Sequence, residues 1–203
     1  MSRIAIASLV FSALLATGCK GLSSSPGTAQ PRAATPTASS TATDTGGVRQ
    51  LRSVHDPGKV TYSITVTTCH VLPGPRPDPA CTPGSFDPAV TQANLTTTIC
   101  KSGYTSEVRP PSSATDKAKK ALYTAYGLPT SEFGELDHLV SLELGGSNDV
   151  ANLWPEIGKI PNPKDSVENV LHKAVCSGKV TLAAAQNAIA ENWQTAETVL
   201  GLS

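Results

Sequence analysis

Asp137-His138-Leu139-Val140-Ser141-Leu142-Glu143-Leu144-Gly145-Gly146-Ser147-Asn148-Asp149-Val150-Ala151-Asn152-Leu153-Trp154-Pro155 is the stretch on which the fold turns. With Leu136 before it, the apolar set Leu139, Val140, Leu142 and Leu144 makes Glu135–Leu144 a strand candidate. Gly145-Gly146-Ser147-Asn148-Asp149 is strong turn chemistry: glycine adopts dihedrals closed to other residues, and Asn and Asp bond back to their own backbone. A short strand over Val150–Trp154 follows. Asn162-Pro163 then opens a helix, because asparagine accepts from amides left free at the cap and the N–H that proline lacks has no partner in the first turn. Val167, Val170, Leu171, Ala174 and Val175 give that helix one apolar stripe as far as Cys176, with Gly178 as its stop. The local order is strand, Gly-rich loop, short strand, helix.

An acid–histidine pair at the end of a strand, a Gly-Gly loop and an asparagine opening the next strand resemble the HNH endonuclease signature. The longer run through Lys164, Asp165, Glu168, His172, Cys176 and Gly178 resembles small exported bacterial proteins that carry it. The likeness is close over residues 135–176 and loose over 81–195. It implies an α+β fold with a ββα-metal core, an additional N-terminal strand and flanking helices. It also implies metal-dependent hydrolysis of phosphodiester bonds in DNA or RNA. That chemistry needs a water deprotonated near neutral pH, a task suited to histidine, and a cation to neutralise charge on the phosphate. By the resemblance His138 is the general base, Asn152 holds the loop and orients His138, and Asp137 is the first metal ligand. Asn162 best matches the third ligand position, with Asp165 as the alternative one turn into the helix. One divalent ion (Mg, Mn or Zn) is implied, with nucleic acid as substrate. The rival reading is an inactive HNH scaffold that serves as a binding or structural module.

Other residues of this region have plainer expectations. Glu168 and His172 flank the apolar stripe and are expected to form a solvated pair. Trp154 and Trp193 are expected in the core. Residues 131–176 carry Glu132, Glu135, Asp137, Glu143, Asp149, Glu156, Asp165 and Glu168 against Lys159, Lys164 and Lys173. Phosphate contacts are therefore expected from outside that stretch, from Lys101, Arg109, Lys117, Lys119, Lys120 or Lys179.

Moving outward, Lys59–Thr68 alternates and is rich in β-branched residues, as a strand is. A short helix is expected around Val90–Leu95. A longer one is expected over Asp116–Tyr126, stopped by Gly127 and Pro129. Thr181 caps a last helix that buries Leu182, Ala185, Ile189, Trp193, Ala196 and Leu200.

The N-terminus is of a different kind. Arg3 precedes an apolar run from Ile4 to Leu15, which has the length of a signal-peptide core and is too short to span a bilayer. Ala16-Thr17-Gly18-Cys19 resembles a bacterial lipobox, which makes residues 1–18 a lipoprotein-type signal peptide and Cys19 the lipidated residue. The expected product is exported and anchored by lipid on the extracytoplasmic side of the cell membrane. Residues 19–55 are rich in Ser, Thr, Pro and Ala and are expected to be a disordered tether. Residues 56–203 then form one domain, with its ββα core at about 135–176. Loss of residues 1–18 removes Arg3 and no acid, so 16 basic and 16 acidic residues become a net charge of about −1. That balance gives no bulk attraction to nucleic acid.

Aromatic residues make up 4% of the chain, so the core is aliphatic and the domain needs staples. Four cysteines remain besides Cys19. Cys69 and Cys81 bracket a Pro-rich loop that folds back easily, and pairing them leaves Cys100 with Cys176.

Overall fold

The computed structural model of the chain describes residues 49–132 and 134–203. The expected signal peptide, Cys19 and the expected tether as far as residue 48 lie outside the described residues. The fold mixes helix and strand, as the α+β expectation requires. In chain order it has β1 (Arg52–Ser53), β2 (Ser85–Phe86), α1 (Tyr104–Val108), α2 (Ser112–Ala125), β3 (Gly134–His138), β4 (Leu153–Ile157), α3 (Pro163–Cys176), α4 (Leu182–Asn192) and α5 (Ala196–Val199). No helix among the described residues is long and apolar enough to cross a membrane.

Two small sheets carry the strands. β1 and β2 pair in parallel, and β3 and β4 pair antiparallel with Glu135 opposite Glu156, Asp137 opposite Trp154 and His138 opposite Leu153. Side chains alternate along each strand, so the hairpin has two unlike faces. Leu136 and Leu153 pack with Ala118 and Leu122 of α2. Glu135, Asp137, Trp154 and Glu156 share the other face, where Asp137 and Glu135 bond to Lys164 and Asn162 at the start of α3. The main core joins Leu139, Val140, Leu144 and Trp154 to Val167, Leu171 and Val175 of α3 and to Leu182, Ala185, Ile189 and Trp193. Both tryptophans lie in it, as expected.

Several expectations need correction. Residues 135–144 are not one strand: β3 ends at His138 and a 3-10 turn covers Leu142–Leu144. The cause is Asn152, whose side chain takes both the N–H and the carbonyl of Val140 and so occupies the groups a ladder would use. The second strand starts later than expected, at Leu153, after a 3-10 turn over Val150–Asn152. Lys59–Thr68 is not a strand. Only a bridge from Thr61 to Asp149 forms there, because Thr61 and Ser63 are held by the Asp149 carboxylate instead of by a neighbouring strand. The tether does not reach residue 55, since Arg52–Ser53 pairs with β2 and Asp56 is buried. The helix expected at Asp116 begins at Ser112, and the last helix breaks at Trp193 into a 3-10 turn before α5.

α3 runs from Pro163 to Cys176 behind Asn162, and Gly178 follows with φ +75°. Cys69–Cys81 and Cys100–Cys176 are disulfides. The Gly-Gly turn is forced by space as well as by dihedrals. Gly145 has φ +71°, and a Cβ on Gly146 would stand 1.8 Å from the Val140 carbonyl oxygen.

Candidate functional site

His138 is the last residue of β3 and is buried. Its Nε2 lies 3.1 Å from Oδ1 of Asn148. The Asn148 amide donates to the Asp56 and Val108 carbonyls at 3.1 and 3.0 Å, so its oxygen must be the atom facing the ring. Nε2 therefore carries the proton and Nδ1 keeps a lone pair, which has no hydrogen-bond partner among the described residues. Burial pushes the His138 pKa down to about 4, against the opposing pull of Asp137, so the ring is neutral at physiological pH.

Asn152 does not touch His138. Its Oδ1 accepts from the N–H groups of Ser85 and Val140, and its amide donates to the carbonyls of Val140 and Ser147. All its bonding capacity is spent on holding the 139–147 loop. Of the two roles expected for it, loop holding is what these bonds perform, and Asn148 is the residue that orients the ring. The resemblance draws attention to Asn152, expected to open the second strand, and leaves Asn148 as one more residue of the polar turn.

Asp137 points to the α3 side of the hairpin. Its Oδ2 accepts from Trp154 Nε1 at 3.2 Å and from Lys164 Nζ at 2.8 Å. Lys164 is only 1% exposed, and its Nζ also donates to the His138 carbonyl at 2.8 Å and to Glu168 Oε1. Burial alone would lower the Lys164 pKa, but Asp137 and Glu168 more than offset this and hold it above its ordinary value. Burial raises Glu168 to about 7 even with Lys164 beside it. Glu168 is thus drawn into the interior by Lys164, and the solvated pair with His172 expected from sequence does not form. His172 bonds the Ile99 carbonyl through Nε2 at 2.8 Å, and its Nδ1 lies 3.8 Å from Glu143.

The remaining expected ligands are engaged with protein partners. Asn162 donates its amide to Glu135 Oε1, and Asp165 Oδ2 accepts from the Asn162 backbone N–H at 2.9 Å, closing a helix cap. Glu156 is buried with Oε2 lacking a hydrogen-bond partner among the described residues, and burial, with Asp137 next in effect, raises its pKa to about 9. It is a neutral carboxylic acid at neutral pH.

Two cavities meet at His138. One of about 140 Å³ is lined by Arg109, Glu135, Asp137, Ser141, Glu143 and Glu168 among others. The other, of about 290 Å³, is lined by Arg109, Asp116, Lys119, Glu135, Leu136 and Asn148. Arg109 borders both, and Lys119 donates to the Gly134 carbonyl at 3.0 Å from the rim of the larger one. Of the cations expected to reach phosphate, these two stand at the site, whereas Lys101 is paired with Glu107. Ser141 Oγ and Glu143 Oε2, on the smaller cavity, are buried without a hydrogen-bond partner among the described residues.

One group of side chains at the far end of α3 could hold a metal ion. Ligand atoms of Cys100, His172 and Cys176 lie within 4.8 Å of one another. Thiolates bind metal and disulfide sulfurs do not, so this group is open to a metal only after Cys100–Cys176 is reduced. The chain matches no family model, no curated protein and no solved structure.

Proposed function

We propose that the chain hydrolyses phosphodiester bonds of nucleic acid at the His138 cleft. In this reading β3, β4 and α3 form an HNH-like ββα unit, worked outside the cytoplasmic membrane on a lipid at Cys19. The observation that carries it is the unpartnered Nδ1 of a tautomerically fixed, neutral histidine where two cavities meet beside Arg109. Nδ1 takes a proton from water as the water oxygen bonds to phosphorus and the opposite ester bond breaks, its electron pair going to the leaving oxygen, which takes a proton from solvent. Arg109 meets the phosphoryl oxygens, and Lys119 steers the approaching backbone. Asn148 holds the ring in place throughout.

Asp137, Asn162 and Asp165 do not fit the divalent metal that the resemblance implies. The first is bonded to Lys164 and Trp154, the second to Glu135, and the third to the Asn162 backbone. No step is assigned to a metal. The experiment is incubation of purified chain with plasmid and with RNA, beside His138→Ala. Wild-type cleavage, cut by roughly 10²–10⁴-fold in the variant, is expected. Equal cleavage by both would end the reading.

The smaller cavity also favours a second reading. Glu135, Asp137, Glu143, Asp165 and Glu168 line it against the single guanidinium of Arg109, a poor balance for an anion. A binding or structural module on the same scaffold would show no cleavage in that assay.

A further inference from the structure

Three oxygens converge on one point beneath the candidate site: a carboxylate oxygen of Asp137, a carboxylate oxygen of Glu168 and the backbone carbonyl of His138. Two carboxylates and a carbonyl are the donor set of a hard divalent cation. The occupant is the ammonium of Lys164, and all three of its N–H bonds are used. We infer that Lys164 is the resident cation of this site, attached to the chain, and that it excludes a divalent metal from the Asp137–Glu168 position. The inference rests on the hydrolase reading only for its meaning in catalysis. The cation site itself is a matter of geometry.

The chemistry of the surroundings agrees. Lys164 sits in the first turn of α3 and Glu168 one turn later on the same side, so one helix supplies both the cation and one of its three oxygens. Asp137 and the His138 carbonyl come from the end of β3, so the ammonium joins the strand carrying the candidate base to the helix. Lys164 is almost wholly buried. A dication entering it would have to displace a charge that cannot diffuse away, and the two would repel at a few ångströms. Glu156 beside Asp137 keeps its proton and adds no further negative charge. A covalently attached cation also cannot be removed by a chelator. Lys164 acts as a positioning residue because it is too deeply buried to touch substrate.

The test is titration of the full chain with Mn²⁺ alone, read by Mn²⁺ paramagnetic resonance and by melting temperature. Wild type should show no Mn²⁺ binding that depends on Asp137 or Glu168. Lys164→Ala empties the cage and leaves its three oxygens, so it should bind Mn²⁺ at least about 100-fold more tightly than wild type, the scale of removing a unit charge at contact. Adding Asp137→Asn to that variant should abolish the gain. A folded Lys164→Ala that gains no Mn²⁺ binding overturns the inference. So does wild-type binding that is lost in Asp137→Asn or Glu168→Gln. If Lys164→Ala does not fold, the wild-type titration with those two variants still decides. A Mn²⁺ result against the resident cation would leave the hydrolase standing. Absence of cleavage under every condition would remove the hydrolase and leave the Mn²⁺ result intact.

Discussion

His138 and Glu156 are held in their neutral forms by burial, and each leaves a mark on stability. His138 has a pKa of about 4 when folded and an ordinary 6.5 when unfolded, so between these values the unfolded chain binds more protons. The stability it contributes is complete above pH 6.5 and is lost as pH falls toward 4, about 3 kcal/mol in all. His138→Gln should flatten that limb of a melting-temperature profile, and an unchanged limb would mean that the ring is not buried. For the proposed hydrolysis, with His138 as the base, kcat/KM should hold level from neutrality to well below pH 6.5. Glu156 works in the opposite direction. Raised from 4.5 to about 9, it keeps its proton in the folded state, so stability declines as pH rises through that window. Glu156→Gln should remove the decline, and thermal melts at pH 6 and pH 9 compare the two directly (pH values on the order of the window's middle and end).

At the scale of elements, α3 was the most legible part of the chain. Asn162-Pro163 marked its start, the Val167–Val175 stripe marked its buried face, and Gly178 marked its end. Each of these is a local signal, set by cap chemistry and helical period. The hairpin was half legible, because its order could be read and its limits could not. What cuts β3 short at His138 is a side chain fourteen residues away, Asn152, spending its amide on Val140. Lys59–Thr68 failed for a related reason, since alternation shows that a segment could pair and says nothing of a partner. Of the site, Asp137 and His138 stood out because they end a strand beside a Gly-rich loop. Asn148, Lys164 and Glu156 did not, because their roles depend on which face of the hairpin α3 covers. The Gly-Gly turn gives a sharp check. Gly146→Ala places a methyl against the Val140 carbonyl and should cost on the order of 3 kcal/mol, measured by denaturant unfolding. Wild-type stability in that variant would mean that the loop path is wrong.

Across the whole molecule, the Cys100–Cys176 bond joins residues 76 apart in sequence and closes a loop that contains α1, α2, β3, β4 and all of α3. In the chain-entropy model such a closure is worth about 4 kcal/mol. Cys100→Ser with Cys176→Ser should lower stability by roughly that amount, as chemical denaturation would show. A near-neutral result would mean that the aliphatic core suffices alone. The pairing was readable because four cysteines and one Pro-rich loop left few options. The anchor belongs to this scale too. Cys19→Ser should release the chain from membranes into the soluble fraction, and unchanged membrane association would remove the lipid.

The proposed lipid at Cys19 would turn the segment after residue 48 into a load path. Arg52 and Val54 hang from the Gly84 and Phe86 carbonyls, Asp56 grips Asn148 through backbone and carboxylate, and Asn148 holds the ring of His138. Tension applied at the N-terminus thus travels through four residues to the candidate base without crossing the core. Peeling β1 and pulling Asp56 outward would tilt Asn148 before any helix unfolds. Force along this line would loosen the imidazole while the domain stays folded, so a tethered molecule under pull would fall silent before it fell apart.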